Sequence, residues 1–498
     1  MAEEQRTGTS YGNIFKTTFL FGFVQVFKAV IAIVKNKLVA ILIGPEGMGL
    51  LGIFNSTIQM IQTGAGLGIN QSAVRDVAEA KGTGKDVRFT RIINITNKVV
   101  LFTGLLGCIV TLCLSYWLSE WTLDSQAYTI AYCVLSVAVA CNIMNDGKQA
   151  ILKGARELRS LAKASIIGSI VGLVTAIPLY YFFGKDGIVP EIIIASILAL
   201  LTSQYFVKKM NINKEELTLS DLFRDAKPMV KIGAVLMCVS FLQIIVTVAL
   251  NSYMNTHGGL EDVGYFNAGF TILNSYFGLV ITALMTDYYP RIASVNNDNV
   301  KLQDELNKQA KVSLVLCCPM FVFFMVFSPL LIQLLYTEEF LPAVEYIKFG
   351  IYWTLITICS NQVDLILVAK GKMRTFSIIA VVIRLSQLIL CILLYNWMGL
   401  LGLGISYAIL GIMHMTIMTV VVYKYYKIRF DTSFIGLFIF VLLLAISATE
   451  VSTIESKMIS YSIGSALIII SVVFSYITSK RVLDLDVIGF IKHKIGIR

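Results

Sequence analysis

The chain has 498 residues, of which 56% are hydrophobic and only 14% charged, and its mean hydropathy is +0.76. Soluble domains carry about 25% charged residues, so this composition cannot coat a water-soluble globule with polar surface. The net charge of +10 sits in loops between apolar runs, where it reports topology, and no nucleic-acid partner is expected. A spanning helix takes about 20 mostly apolar residues. Fourteen such stretches follow one another: 17–43, 50–73, 92–118, 127–147, 164–183, 187–207, 229–251, 264–286, 312–335, 344–368, 376–396, 399–422, 432–449 and 459–478. The runs are continuous rather than alternating, which predicts helices and not a barrel. The first is long and reaches Gly44-Pro45 without a small-residue cleavage pattern, so it is expected to remain as a helix. The nine cysteines lie in apolar stretches without metal-ligand spacing and read as small core or lipid-facing residues.

Lys and Arg orient the spans. Every second loop is basic, from Lys81, Lys85, Arg88 and Arg91, through Lys148 to Lys163 and Lys208 to Lys231, to Arg291 with Lys301, Lys308 and Lys311. Lys370, Lys372 and Arg374 continue the series, followed by Lys424, Lys427 and Arg429 and by Lys480 and Arg481. The opposite loops hold Lys185 and Lys457 beside Glu120, Asp124, Glu338, Glu339 and Glu450. Both termini are therefore predicted on the cytoplasmic side of a multi-pass protein. The outer loops are short and leave no external domain.

An internal repeat divides the chain. Gly52-Ile53-Phe54-Asn55 opens the second span and Gly264-Tyr265-Phe266-Asn267 the eighth. From these anchors Asn55, Gln59, Gln62 and Gly66 match Asn267, Thr271, Asn274 and Gly278, at spacings that keep each set on one helix face. Lys153-Gly154 with Arg159 likewise matches Lys370-Gly371 with Arg374. The predicted architecture is an all-α membrane protein of about 14 transmembrane helices. Residues 1–210 form a six-helix N-lobe, 211–228 a linker and 229–425 a six-helix C-lobe. Residues 426–480 add two helices, and 481–498 form an amphipathic cytoplasmic tail. Six is even, so both lobes enter from one side as a parallel repeat, the kind that transporters use for alternating access.

Charges inside the spans need a reason, since a central Lys or Arg costs about 2.5–3.5 kcal/mol on insertion scales. Lys28 lies near the middle of the first span and Lys35 seven residues on, on about the same face. Lys37 points nearly opposite and is placed as well to snorkel as to bind. Arg384 lies within span 11, with Gln387 beside it, and Asp364 reads as the deepest acid of either lobe. A pair between Arg384 and Asp364 is the structural alternative to a role in binding. Arg75 and Arg291 end the second and eighth spans and serve equally as anchors or ligands, with Asp287 offsetting Arg291. His414, between Met413 and Met415, reads as core. The polar stripes Asn55, Gln59, Gln62 and Asn267, Thr271, Asn274 line a cavity or glue helices together. Together these groups predict a wet, net-cationic cleft between the lobes, suited to anionic cargo such as phosphate.

The residues from Asn36-Lys37-Leu38-Val39-Ala40 to Gly44-Pro45-Glu46-Gly47-Met48-Gly49-Leu50 resemble the start of Wzx-type oligosaccharide-lipid flippases. So do Gly64-Ala65-Gly66-Leu67-Gly68-Ile69, Val74-Arg75, the stretch ending Tyr289-Pro290-Arg291, and Ala369-Lys370-Gly371. The resemblance runs in order through spans 1–12. It implies membership of the multidrug/oligosaccharidyl-lipid/polysaccharide exporter superfamily, with two lobes forming a V-shaped, MATE-like cavity in a bacterial inner membrane. It further implies transfer of an undecaprenyl-pyrophosphate-linked oligosaccharide to the periplasmic leaflet, alongside a polysaccharide polymerase and a chain-length regulator. Basic residues of the family's first helix correspond to Lys28 and Lys37. The two helices after Arg429 depart from relatives with twelve spans and match the lipid II flippases of the superfamily. No cofactor is implied; a coupling ion, H+ or Na+, would find its carboxylate in Asp364. The rival readings are a cation-coupled multidrug or lipid II-type exporter and, more distantly, a polymerase or ligase. An enzyme of that kind needs an acid/base cluster that the sequence does not offer.

Overall fold

The computed structural model describes the backbone of residues 2–82, 86–210, 212 and 219–482, and the side chains within these outside 2–23, 86, 219–223, 232, 235, 236, 239, 279, 283, 286, 287 and 482. The expected tail beyond Val482 and linker residues 211 and 213–218 lie outside the described residues, while linker residues 219–228 begin a helix. The rest is almost entirely α-helical: α1 (Ala2–Ala65), α2 (Ile69–Gly82), α3 (Asp86–Leu123), α4 (Thr129–Gly154), α5 (Leu158–Phe183), α6 (Ile188–Lys208) and α7 (Leu219–Thr271). These are followed by α8 (Phe277–Ser294), α9 (Asn299–Leu335), α10 (Ala343–Ala369), α11 (Met373–Tyr426), α12 (Thr432–Ser452) and α13 (Lys457–Val482).

Three of these helices bend sharply at a glycine with positive φ: α1 at Gly44 (65°), α7 at Gly259 (81°) and α11 at Gly399 (59°). An L side chain at such a φ meets its own backbone. Pro45 then occupies the first position of the new helical run, where its missing N–H costs nothing. Divided at these corners, the helices accommodate all fourteen expected spans. Among the described residues, eight helices are long and apolar enough to cross a bilayer by length and composition. The second span ends earlier than expected. Its helix stops at Ala65, Leu67 and Gly68 turn with positive φ, and Arg75 belongs to the separate helix α2.

The chain divides into two compact units, Met1–Gly264 and Tyr265–Arg498. The first half of α7 thus lies with the first unit, whereas the sequence reading placed it in the second lobe. Glycine explains the attachment: a Cβ at Gly49 would fall on the carbonyl oxygen of Leu260, and one at Gly264 on that of Pro45. The linker end of α7 is tied to α3, where Arg91 donates to Asp225 through Nε (3.0 Å) and Nη2 (2.7 Å). These bonds hold the Asp225 carboxyl below the usual carboxylate range.

The repeat is carried by the backbone at a constant offset of 215 residues. Gly44, Arg156 and Gly184 have positive φ, and so do Gly259, Gly371 and Gly399. After α4, Ala155 N–H donates to Ile151 O, Arg156 to Lys153 and Glu157 to Leu152. After α10, Lys370 donates to Ile366, Gly371 to Val368 and Lys372 to Leu367, which is the same turn. The buried clusters agree, pairing Val77 with Ile292, Ile151 with Ile366, Leu152 with Leu367, Ala164 with Ile379 and Val207 with Val422. Of the sequence anchors, only Arg159 and Arg374 keep this register. Lys153-Gly154 and Lys370-Gly371 are two residues out of it, and the Gly52 and Gly264 motifs three. A slip of three residues is close to one helical turn, so apolar patterns still match across it. A π-helical turn at Ile272–Tyr276 also breaks the 3.6-residue period within the Asn267–Gly278 stripe.

Candidate functional site

In the first unit, Lys28 is half-buried in α1 and makes no hydrogen bond or ion pair among the described residues. Lys35 is committed elsewhere. Its Nζ lies 2.8 Å from Glu191 Oε1 of α6, and Tyr180 of α5 donates to Oε2 of the same carboxylate at 3.1 Å. The Glu191 side chain is 3% exposed and that of Lys35 29%. Glu191 is therefore more buried than Asp364, at 16%, which corrects the expectation that Asp364 is the deepest acid. Lys37 is half-buried and partnered. Removing one member of a buried pair strands the other charge, at a cost of about 3–5 kcal/mol. Lys35→Ala is accordingly expected to lower the thermal midpoint of the purified protein by several degrees, and Lys35→Ala/Glu191→Gln to recover part of the loss. A Lys35→Ala protein of unchanged midpoint would speak against this structural role.

A cavity of about 210 Å³ in the first unit is lined by Gln59, Gln62, Asn70, Gln71, Thr103, Ser240 and Asp146 among others. Gln62 Nε2 donates to Asp146 Oδ2 at 2.6 Å. Two of the three stripe residues expected here thus line a cavity; Asn55 is exposed outside its lining. Asp146 was not anticipated. At the end of span 4, beside Gly147-Lys148, it reads as an interfacial charge, and only its helical phase with Ile143 points it inward. Arg75 is spent on its neighbour Asp76, with Nε at 2.9 Å and Nη2 at 2.6 Å from Oδ1.

The cavity of the second unit, about 170 Å³, lies among α10 and both halves of α11 and not along the Asn267 stripe. Arg384 Nη1 donates to Gln387 Oε1 (2.8 Å), and Gln387 Nε2 to Tyr407 Oη (3.0 Å). The structural pair suggested for Arg384 and Asp364 does not form. Asp364 Oδ1 instead faces His414 Nε2 at 3.4 Å, while Ser360 Oγ lies 3.2 Å from His414 Nδ1. His414 is therefore part of a polar site rather than apolar core. Asp364 Oδ1 is buried without a hydrogen-bond partner, an unusual condition for a carboxylate oxygen. Arg291 is held by Glu305 and Gln309 and lies 6.0 Å from the centroid of the Tyr288 ring; the Asp287 side chain, its expected partner, lies outside the described residues. Asn267 Nδ2 is buried and unpaired, Thr271 half-buried and Asn274 exposed in the π turn.

The fold is that of known transporters. A lipid II flippase MurJ in an inward closed conformation matches with a TM-score of 0.66 at 16% identity, over 94% of this chain and 100% of that one. An inward-facing multidrug resistance MATE family transporter of the MOP superfamily matches with a TM-score of 0.62 at 16% identity, over 87% of this chain and all of its own. In sequence, the "Putative O-antigen transporter" of Shigella flexneri is 20% identical over 406 residues, 78% of this chain and 92% of the relative. Residues 38–345 match the model of a family described as polysaccharide biosynthesis protein. That stretch is more than half of the sequence, and the chain belongs to this polysaccharide biosynthesis family.

Proposed function

We propose that the chain is a flippase that moves an undecaprenyl-pyrophosphate-linked oligosaccharide, the repeat unit of O-antigen or another surface polysaccharide, from the cytoplasmic to the periplasmic leaflet by alternating access. It is a transporter and not an enzyme. The observation that carries the reading is membership of a polysaccharide biosynthesis family on a fold shared with lipid and drug transporters. Lys28 supports it as a half-buried cation without a partner among the described residues, and Arg384 as a second cation facing a cavity that also holds Asp364 and Gln387. A surface-polysaccharide polymerase and a chain-length regulator are the expected partners downstream. In proteoliposomes, the chain should speed the appearance of a labelled lipid-linked oligosaccharide in the opposite leaflet at least about tenfold over protein-free vesicles. Transport of cationic dyes without movement of that lipid would favour the multidrug reading instead.

The proposed setting is the bacterial inner membrane with both termini in the cytoplasm. Reporter fusions at Asn255 and Glu450 should read as external, and fusions at Asn299 and the C-terminus as internal. An external C-terminus would require an odd number of passes and exclude this topology.

A further inference from the structure

The polar cavity of the first unit, about 210 Å³, gathers side chains from four helices: Gln59 and Gln62 near the end of α1, Asn70 and Gln71 at the start of α2, Asp146 in α4 and Ser240 in α7. A turn with no room for a side chain sets α2 against α7. Gly68 has a φ of 62°, a Cβ on it would fall on the carbonyl oxygen of Gly233, and one on Gly233 would fall on that of Leu67. Gln62 Nε2 donates to Asp146 Oδ2 at 2.6 Å, which orients the carboxylate and leaves Oδ1 unbonded among the described residues. The side chains of Gln59, Asn70, Gln71 and Ser240 likewise make no hydrogen bond among the described residues. Lys153, a positive charge that acts on Asp146, is exposed about two turns further along α4 and lies outside the described lining. Val100, Ile143 and Ile244 give the cavity an apolar wall.

Each amide offers two donors and an acceptor, whereas the free carboxylate oxygen can only accept. A phosphate would meet repulsion at Asp146. A bare cation would use the carboxylate oxygen but leave the amide donors and the apolar wall without a role. A sugar ring uses all three, because its hydroxyls donate to the carboxylate and accept from the amides while its C–H face lies on the apolar wall. The volume is below the roughly 300–1,000 Å³ of sites for drug-sized ligands and suits one ring. On the flippase reading, we infer that this cavity seats one neutral sugar of the lipid-linked oligosaccharide and that Asp146 excludes an acidic sugar from it. A uronate in the same place would set a second carboxylate against the first, and such a like-charge contact is strongly disfavoured.

Flux of three synthetic lipids through proteoliposomes of the full chain tests the assignment: undecaprenyl pyrophosphate carrying glucose, the same lipid carrying glucuronate, and the bare pyrophosphate. The unmodified protein should move the glucosyl lipid at least about tenfold faster than the glucuronyl lipid. Asp146→Asn keeps the shape and removes the charge, so it should bring the two rates within about twofold of each other, chiefly by raising the glucuronyl rate. A gain of flux cannot come from a misfolded protein. Gln59→Ala and Asn70→Ala, at exposed positions, should each slow the glucosyl lipid about five-fold, the worth of one hydrogen bond, and leave the bare pyrophosphate unchanged. A glucosyl-to-glucuronyl ratio that Asp146→Asn leaves unmoved would overturn the assignment, while the flux itself upheld the flippase reading. Loss of ion-gradient dependence in Asp146→Asn with that ratio intact would overturn it in favour of a coupling cation. No flux of any of the three lipids would sink the flippase reading, and the sugar site with it.

Discussion

Lys28→Ala is expected to abolish translocation of the lipid-linked oligosaccharide while leaving expression and insertion normal. A pyrophosphate headgroup crossing the bilayer needs counter-charge or it bears the full cost of desolvation. Lys28 can supply that charge because nothing among the described residues already claims it. Lys35 cannot do so equally, since Glu191 holds its ammonium. Truncating Lys28 removes a burden on insertion of about 2.5–3.5 kcal/mol and strands no partner. The defect should therefore appear in the flux of labelled lipid and not in the amount of protein in the membrane. Lys28→Arg should restore part of the flux, because charge counts for more here than the shape of the group. Normal flux through Lys28→Ala would move headgroup binding to Arg384.

Asp364→Asn is expected to flatten the dependence of transport on an ion gradient. The carboxylate has one oxygen without a hydrogen bond and an imidazole 3.4 Å away. That arrangement can take up a cation or proton and release it again. The other charged or titratable groups facing this cavity are Arg384 and Tyr407. If transport is coupled to a proton or sodium gradient, the unmodified protein should respond to that gradient, and with Asn at 364 the rates with and without it should agree within about twofold. An imidazole beside that carboxylate can hand a proton on but offers a sodium ion no oxygen ligand. His414→Gln should therefore flatten a proton response but spare a sodium response, which identifies the ion. If Asp364→Asn removes the protein from the membrane, the carboxylate is a structural partner of His414 and coupling lies elsewhere.

Composition and loop charge made the class of the molecule legible, because a bilayer imposes long apolar helices whatever else a chain does. The corner at Gly44-Pro45 was visible as a stop between two apolar runs. The ion pair of Lys35 was not, since Glu191 stands 156 residues away near the start of another span, and no local spacing connects the two. Arg384 and Asp364 were candidates for each other because both lie deep in adjacent spans. Helical phase instead gives Arg384 its i+3 neighbour Gln387 and turns Asp364 toward His414 on a different stretch of chain. Tandem motifs revealed that the halves repeat but misjudged the register, since a slip of nearly one turn preserves apolar pattern and only backbone corners fix the true offset.

Those corners bear on how the chain is made. A ribosome feeding this protein into the membrane delivers three left-handed bends, at Gly44, Arg156 and Gly184, and then the same three at Gly259, Gly371 and Gly399 with identical spacing. The insertion machinery therefore meets one series of backbone corners twice, in the same order. Solving the first half solves the second. At Arg156 the bend survives with a side chain where its later copy has glycine, so what the duplication has kept there is the shape of the backbone and not the residue that forms it.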